Sequence, residues 1–230
     1  MKWRSAFALL LTVGLAIPHT APAQDTRPGI GVLPFENGGS IGVDKEDLGA
    51  FSIGLQQMLI TELAFNGQLR LVDRTNLKQL MEEQDLGKTG RVDAQTAAKI
   101  GKIVGAKYMI LGGFIDWNAD LRIDARVVDV ETTEIIKVQR ARDKRDNMND
   151  IVVDLANNLT KGLNLPALSR QAFNKRKGRK IPPKAVKLYT KGLFYQNNGN
   201  NQKAAELFSQ ASAIFPEYTE AQKALKQVKG

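Results

Sequence analysis

Eight consecutive residues alternate charged and apolar without a break: Asp120, Leu121, Arg122, Ile123, Asp124, Ala125, Arg126 and Val127. Side chains change face at every step of a strand, so this pattern demands a strand with one dry face and one wet face. Residues 107–115, just before it, are apolar and β-branched enough for a buried strand, and residues 135–142 follow across the turn Glu131-Thr132-Thr133-Glu134. An antiparallel meander of three strands is therefore predicted. The carboxylates Asp120 and Asp124 share their face with Arg122 and Arg126, which reads as a solvated, mutually neutralised surface and not as a catalytic pair.

Helical spacing surrounds the meander. Leu48, Phe51, Leu55, Met58, Leu59 and Leu63 recur at three- and four-residue intervals, and Asn66-Gly67 supplies a stop. A short apolar run, Gly29 to Phe35, precedes this helix as a strand, and Leu69-Arg70-Leu71-Val72 follows it as another. Asp73 and Asp93 are placed as N-caps of two further helices, over 74–83 and 94–104, and residues 147–163 show Ile151, Leu155, Leu159 and Leu163 on one side of a last one. The order β-α-β-α-α-β-β-β-α defines an α+β domain over residues 27–165 that can hold its own core.

Residues 1–23 read as a cleaved signal peptide, with Lys2 and Arg4, an apolar run and the small-residue site Ala21-Pro22-Ala23. An exported, periplasmic chain is expected, and with no cysteine it has no thiol for lipid attachment. The overall charge of +9 is unevenly spread. Residues 24–168 hold 18 basic and 21 acidic residues, net −3, whereas 169–230 hold 13 basic and three acidic, net +10.

The only histidine, His19, lies in the leader, and there is no cysteine. A mature chain without either has no thiol nucleophile, no Ser-His-Asp triad and no zinc or haem site built on those ligands. Asp116-Trp117-Asn118-Ala119-Asp120 imitates the start of a calcium loop, but Leu121 stands where the loop needs glycine and Val127 where it needs glutamate. Gly38-Gly39 has no Lys-Ser/Thr behind it to cradle a phosphate. No catalytic residue, cofactor or metal is expected.

Several segments, in order, carry a family resemblance: Gly31-Val32-Leu33-Pro34-Phe35-Glu36-Asn37; Leu71-Val72-Asp73-Arg74 with Leu77, Leu80 and Glu83-Gln84; Ala97-Ala98-Lys99-Ile100-Gly101 with Gly105-Ala106-Lys107-Tyr108; Gly112-Gly113; and Arg126-Val127-Val128-Asp129-Val130 with Thr133-Glu134-Ile135. Together they resemble the CsgG family, the curli production assembly and transport components of bacterial outer membranes. The resemblance implies the family's soluble scaffold, used in envelope assembly. It departs from the curli pore in lacking the lipidated N-terminal cysteine and the long inserted hairpins, since neither 114–121 nor 142–150 has room for two membrane strands of about 9–11 residues. A secretion pore is thus the least favoured reading.

Residues 166–184 carry Pro166, Pro182, Pro183 and the basic run Lys175, Arg176, Lys177, Arg179 and Lys180 with no apolar period, and read as a linker. From 185 to 230, Leu188, Gly192, Tyr195, Ala204, Phe208, Ala211 and Pro216 are spaced as in a single tetratricopeptide repeat with a capping helix, with Lys191 where leucine is usual. One repeat cannot stand alone and must rest on the first domain, another subunit or a partner. Leu188, Lys191, Tyr195 and Phe208 are the candidate protein-docking residues. The favoured function is a non-enzymatic periplasmic adaptor that binds a protein partner through the hairpin, with self-assembly into a homo-oligomer open. The alternative is binding of an anionic envelope polymer, peptidoglycan or lipopolysaccharide, or of the outer-membrane surface, through the basic patch. Nucleic acid is not expected, because an exported chain seldom meets it and no aromatics interleave the basic run.

Overall fold

The computed structural model describes residues 25–83, 92–163, 165 and 168–230; the leader read at 1–23 and the other residues, Gln84 and Pro166 among them, lie outside the described residues. At its centre is a mixed sheet of β1 (Gly29–Val32), β2 (Glu36–Asn37), β3 (Arg70–Leu71), β4 (Tyr108–Trp117), β5 (Asp120–Asp129) and β6 (Ile135–Lys144). Their order is β3-β1-β4-β5-β6, with β2 pairing β4 beyond the end of β1. β1 runs parallel to both β3 and β4, which requires crossovers, and these are made by α1 (Lys45–Ala64) on one side and α2 (Arg74–Glu83) with α3 (Ala94–Ile103) on the other. β4, β5 and β6 form the expected antiparallel meander.

Alternation along β4 feeds two cores. Ile110 and Phe114 join Leu55, Leu59, Ile151, Leu155 and Leu159 beneath α1 and α4 (Met148–Gly162), while Met109 and Leu111 join Leu77, Ala97 and Ile100 beneath α2 and α3. β5 sends Leu121, Ile123, Ala125 and Val127 to the first of these cores. Its other face is wet, and there Asp120 pairs with Arg142 at 2.7 Å while Asp124 pairs with Arg140 and Arg122. The charges are therefore balanced mainly across the ladder to β6, and less between neighbours along β5 as the alternation alone suggested.

The loop that imitates a calcium site is a two-residue hairpin turn. Asn118 and Ala119 both have positive φ, 50° and 67°, the geometry that matches the twist of a tight hairpin. The buried Asp116 carboxylate accepts a hydrogen bond from the Ala119 N–H at 2.9 Å and faces Arg145 at 3.2 Å.

After the sheet domain come α5 (Arg170–Lys177), α6 (Pro183–Asn197), α7 (Asn201–Ile214) and α8 (Thr219–Lys229). α5 lies inside the stretch expected to be an irregular linker. Ser169 caps it by accepting from the Ala172 N–H, and its charged side chains reach partners remote in sequence, which supplies the order that apolar periodicity could not. α6 and α7 form a hairpin closed by Gly199 at φ 78°. Gly192 is required there, since a methyl group in its place would overlap the Phe208 ring. The Tyr189 ring lies 5.8 Å from that of Phe208 and 5.0 Å from that of Tyr218, joining α6, α7 and the start of α8 in one apolar cluster.

Candidate functional site

The C-terminal helices sit directly on the sheet domain, and the seam between them concentrates the chain's buried charge. α6 crosses α1 at two glycines: a methyl group at Gly49 would lie 2.5 Å from the Phe194 ring, and one at Gly54 would overlap Thr190. That closeness lets the lysines of α6 reach the acidic first turn of α1. Lys187 pairs with Asp47 at 2.7 Å, and Lys191 lies 2.9 Å from Asp47 and 3.0 Å from Glu46. Burial works against a charge on Asp47, but the two ammonium groups outweigh it and hold its pKa below the usual carboxylate value.

A second charged knot ties three elements. Arg176 of α5 donates to both oxygens of Glu62 on α1 and, at 3.1 Å, to Glu220 on α8. Arg179 meets Glu220 with two hydrogen bonds of 2.6 and 2.7 Å, the fork-on-fork geometry that favours arginine over lysine. Burial alone would raise the pKa of Glu220; the guanidinium of Arg179, helped by Arg176, instead lowers it to about 2. Arg176 also lies over the Phe65 ring, 4.0 Å from its centroid. Lys177 pairs with Asp154 on α4 at 2.8 Å.

These contacts relocate the residues singled out in the sequence. Of the five basic-run cations, Arg176, Lys177 and Arg179 are engaged within the chain, leaving Lys175 and Lys180 as exposed side chains with no ion pair among the described residues. Three of the five side chains thus clasp helices together, within a stretch expected to be a linker. Among the docking candidates, Phe208 is fully buried, Lys191 is held by α1, and Leu188 and Tyr195 are partly buried against the core. The seam partners Asp47 and Glu62 were overlooked, although each is a carboxylate in or beside the apolar stripe of α1, a placement that calls for a buried cation.

Beside the clasp, α1, the β3–α2 corner, α6 and α8 enclose a cleft of about 680 Å³. Ile60, Leu71 and Leu193 give it an apolar wall, and Gln57, Gln196 and Gln227 give it amides. Arg74, Tyr189, Glu220 and Lys223 also border it. It is a composite cleft, formed by the sheet domain and the C-terminal helices together.

The class so defined is an α+β domain with helices on both faces of a mixed sheet and a helical hairpin clamped to its first helix. Residues 17–122 match the family model described as Curli production assembly/transport component CsgG, so the chain carries a CsgG-family segment. No curated protein matches the chain. Similar solved structures include the LpoB C-terminal domain from Salmonella enterica, at 20% identity over 54% of this chain and 87% of that one, with a TM-score of 0.41. The lipoprotein GNA1162 from Neisseria meningitidis is 15% identical over 50% of this chain and 79% of that one, TM-score 0.40. The PelC dodecamer from Paraburkholderia phytofirmans is 10% identical over 62% of this chain and 90% of that one, TM-score 0.39. Among the described residues no helix is long and apolar enough to cross a membrane.

Proposed function

We propose that this protein is a non-enzymatic, periplasmic CsgG-like accessory of envelope assembly that acts as a protein–protein adaptor, with the composite seam cleft as its partner-binding surface. The observation that carries this reading is the fusion of the hairpin to a CsgG-family domain by the Arg176–Glu62–Glu220 knot and the Gly49 and Gly54 contacts. A single helical repeat unit gains a rigid platform in this way, and a rigid two-sided cleft is what a docking module needs. Binding of an anionic polymer by the basic run has less support, because its arginines are already paired.

Site-directed photocrosslinking in envelope preparations tests the reading. A photoreactive residue at Gln196 or Gln227, on the cleft wall, is expected to capture a discrete envelope protein, whereas one at Arg126, on β5 and away from the seam, is not. Equal capture from all three positions, or none from any, would overturn the adaptor reading.

A further inference from the structure

Among the described residues, one cation of the cleft, only partly buried, makes no side-chain hydrogen bond or ion pair. Arg74, the first residue of α2, has its Nη1 shut off from solvent with no hydrogen-bond acceptor there. Neither nearby carboxylate hydrogen-bonds it: Asp73 accepts from the Thr75 N–H at 2.7 Å and acts on Arg74 only as a neighbouring charge, and both oxygens of Glu220 are taken by Arg179, with Arg176 adding a third bond. A guanidinium cannot shed its charge at any ordinary pH, so an acceptor that reaches the shielded Nη1 gains a charge-assisted hydrogen bond there. Burial weakens its hold on the proton, against the opposing pull of Tyr189 and Asp73.

Resting on the adaptor reading, we infer that Arg74 is the anchor of a peptide site: the cleft receives an extended protein segment and pairs Arg74 with one aspartate or glutamate side chain of it. The charge around the site selects a single carboxylate. A phosphate dianion would find only Lys223 as a second cation among the lining residues, whereas one planar carboxylate matches one planar guanidinium in a two-point bond. The surroundings select a peptide. The amides of Gln57, Gln196 and Gln227 can both donate to and accept from a backbone, and Ile60, Leu71 and Leu193 offer apolar contact to side chains beside the acid. The volume falls in the range of about 300–1,000 Å³ of sites that enclose a ligand.

Three pools of acetylated nonapeptides, degenerate except at the centre, test this with the full chain immobilised. One pool has a central glutamate and an amidated end, one a central glutamine and an amidated end, and one a central glutamine and a free C-terminal carboxylate. Wild type is expected to retain the glutamate pool at least fivefold over the other two. Arg74→Gln should erase that preference, and Arg74→Lys should keep part of it, with circular dichroism confirming that both variants fold. Equal retention of the glutamate and glutamine pools, preference for the free terminus, or an unchanged preference in Arg74→Gln would each overturn the inference. Capture from Gln196 and Gln227 that persists in Arg74→Gln would do so while leaving the adaptor reading standing.

Discussion

Arg176 and Glu62 stand 114 positions apart and form a two-point ion pair at the seam, with the two side chains only 11% and 6% exposed. The pair joins the segment after the sheet domain to the helix that opens it, and Glu220 extends the same knot to the last helix. The C-terminal quarter is thus tied to α1 by largely buried charge.

Removing one partner of this pair leaves a charge in a largely dry place. Glu62→Ala should lower the unfolding free energy by about 3 kcal/mol, the scale found when a buried pair is broken from one side. Urea unfolding of purified protein reads this directly. A loss below about 1 kcal/mol would put the pair in the class of exposed ion pairs.

The second knot member imposes a pH dependence. Glu220 titrates near 2 in the folded chain against an ordinary glutamate value of 4.5, because the burial that would raise it is outweighed by Arg179 and Arg176. The unfolded chain then binds the proton more readily, so the stabilisation is complete above pH 4.5 and is lost as pH falls from there toward 2. Glu220→Gln lacks that contribution. The gap between the urea midpoints of wild type and Glu220→Gln should narrow across this window; a gap that stays constant from about pH 6 to about pH 2.5 would show that the pairing does not stabilise the fold.

What sequence could reveal followed from the range of each signal. Alternation at 120–127 specifies β5 because it is local, and so does the spacing of Leu55, Leu59 and Leu63 for α1. Asp93 is legible as a cap because its acceptor role, toward the Thr96 N–H, lies within one helical turn. β2 is two residues long and too short for any period to show. α5 has only Phe173 and Ala172 as apolar residues, and its order comes from Glu62, Asp154 and Glu220, all of them remote in sequence. Arg74 is legible only as the end of the Leu71-Val72-Asp73-Arg74 segment, with nothing local to mark it as a binding group, since its Nη1 without an acceptor is a property of the assembled cleft.

The β4–β5 turn holds local strain that can be relieved. Ala119 sits at φ 67°, where a Cβ costs roughly 1–2 kcal/mol, and a glycine following Asn118 would complete the favoured Asn-Gly pair for this turn. Part of that gain is offset by the greater freedom of glycine in the unfolded chain. Ala119→Gly should thus stabilise the protein by about 0.5–1 kcal/mol, read as a melting temperature raised by a few degrees. An unchanged or lower melting temperature would mean that the strain is relieved elsewhere in the hairpin.

Gly54 tests whether the hairpin's seat on α1 is as close as the structure shows. In an exposed helix, replacing glycine by a larger residue gains stability, roughly 1 kcal/mol for alanine. Here any Cβ meets Thr190, whose own helix is fixed nearby by the Lys187 and Lys191 pairs, so neither side can give without breaking those bonds. Gly54→Leu should therefore cost about 2–3 kcal/mol by overpacking and lift α6 off α1. Two readouts separate this from a general loss of fold. Limited proteolysis should cut newly within residues 178–182, between α5 and α6, while near-native helix content persists by circular dichroism. Gly67→Ala serves as the control, since no described residue lies near a Cβ there, and it should leave the cleavage pattern unchanged. If Gly54→Leu were as stable and as protected as wild type, the helices would have to sit further apart, and the cleft beside Arg74 would lose the wall that α6 contributes.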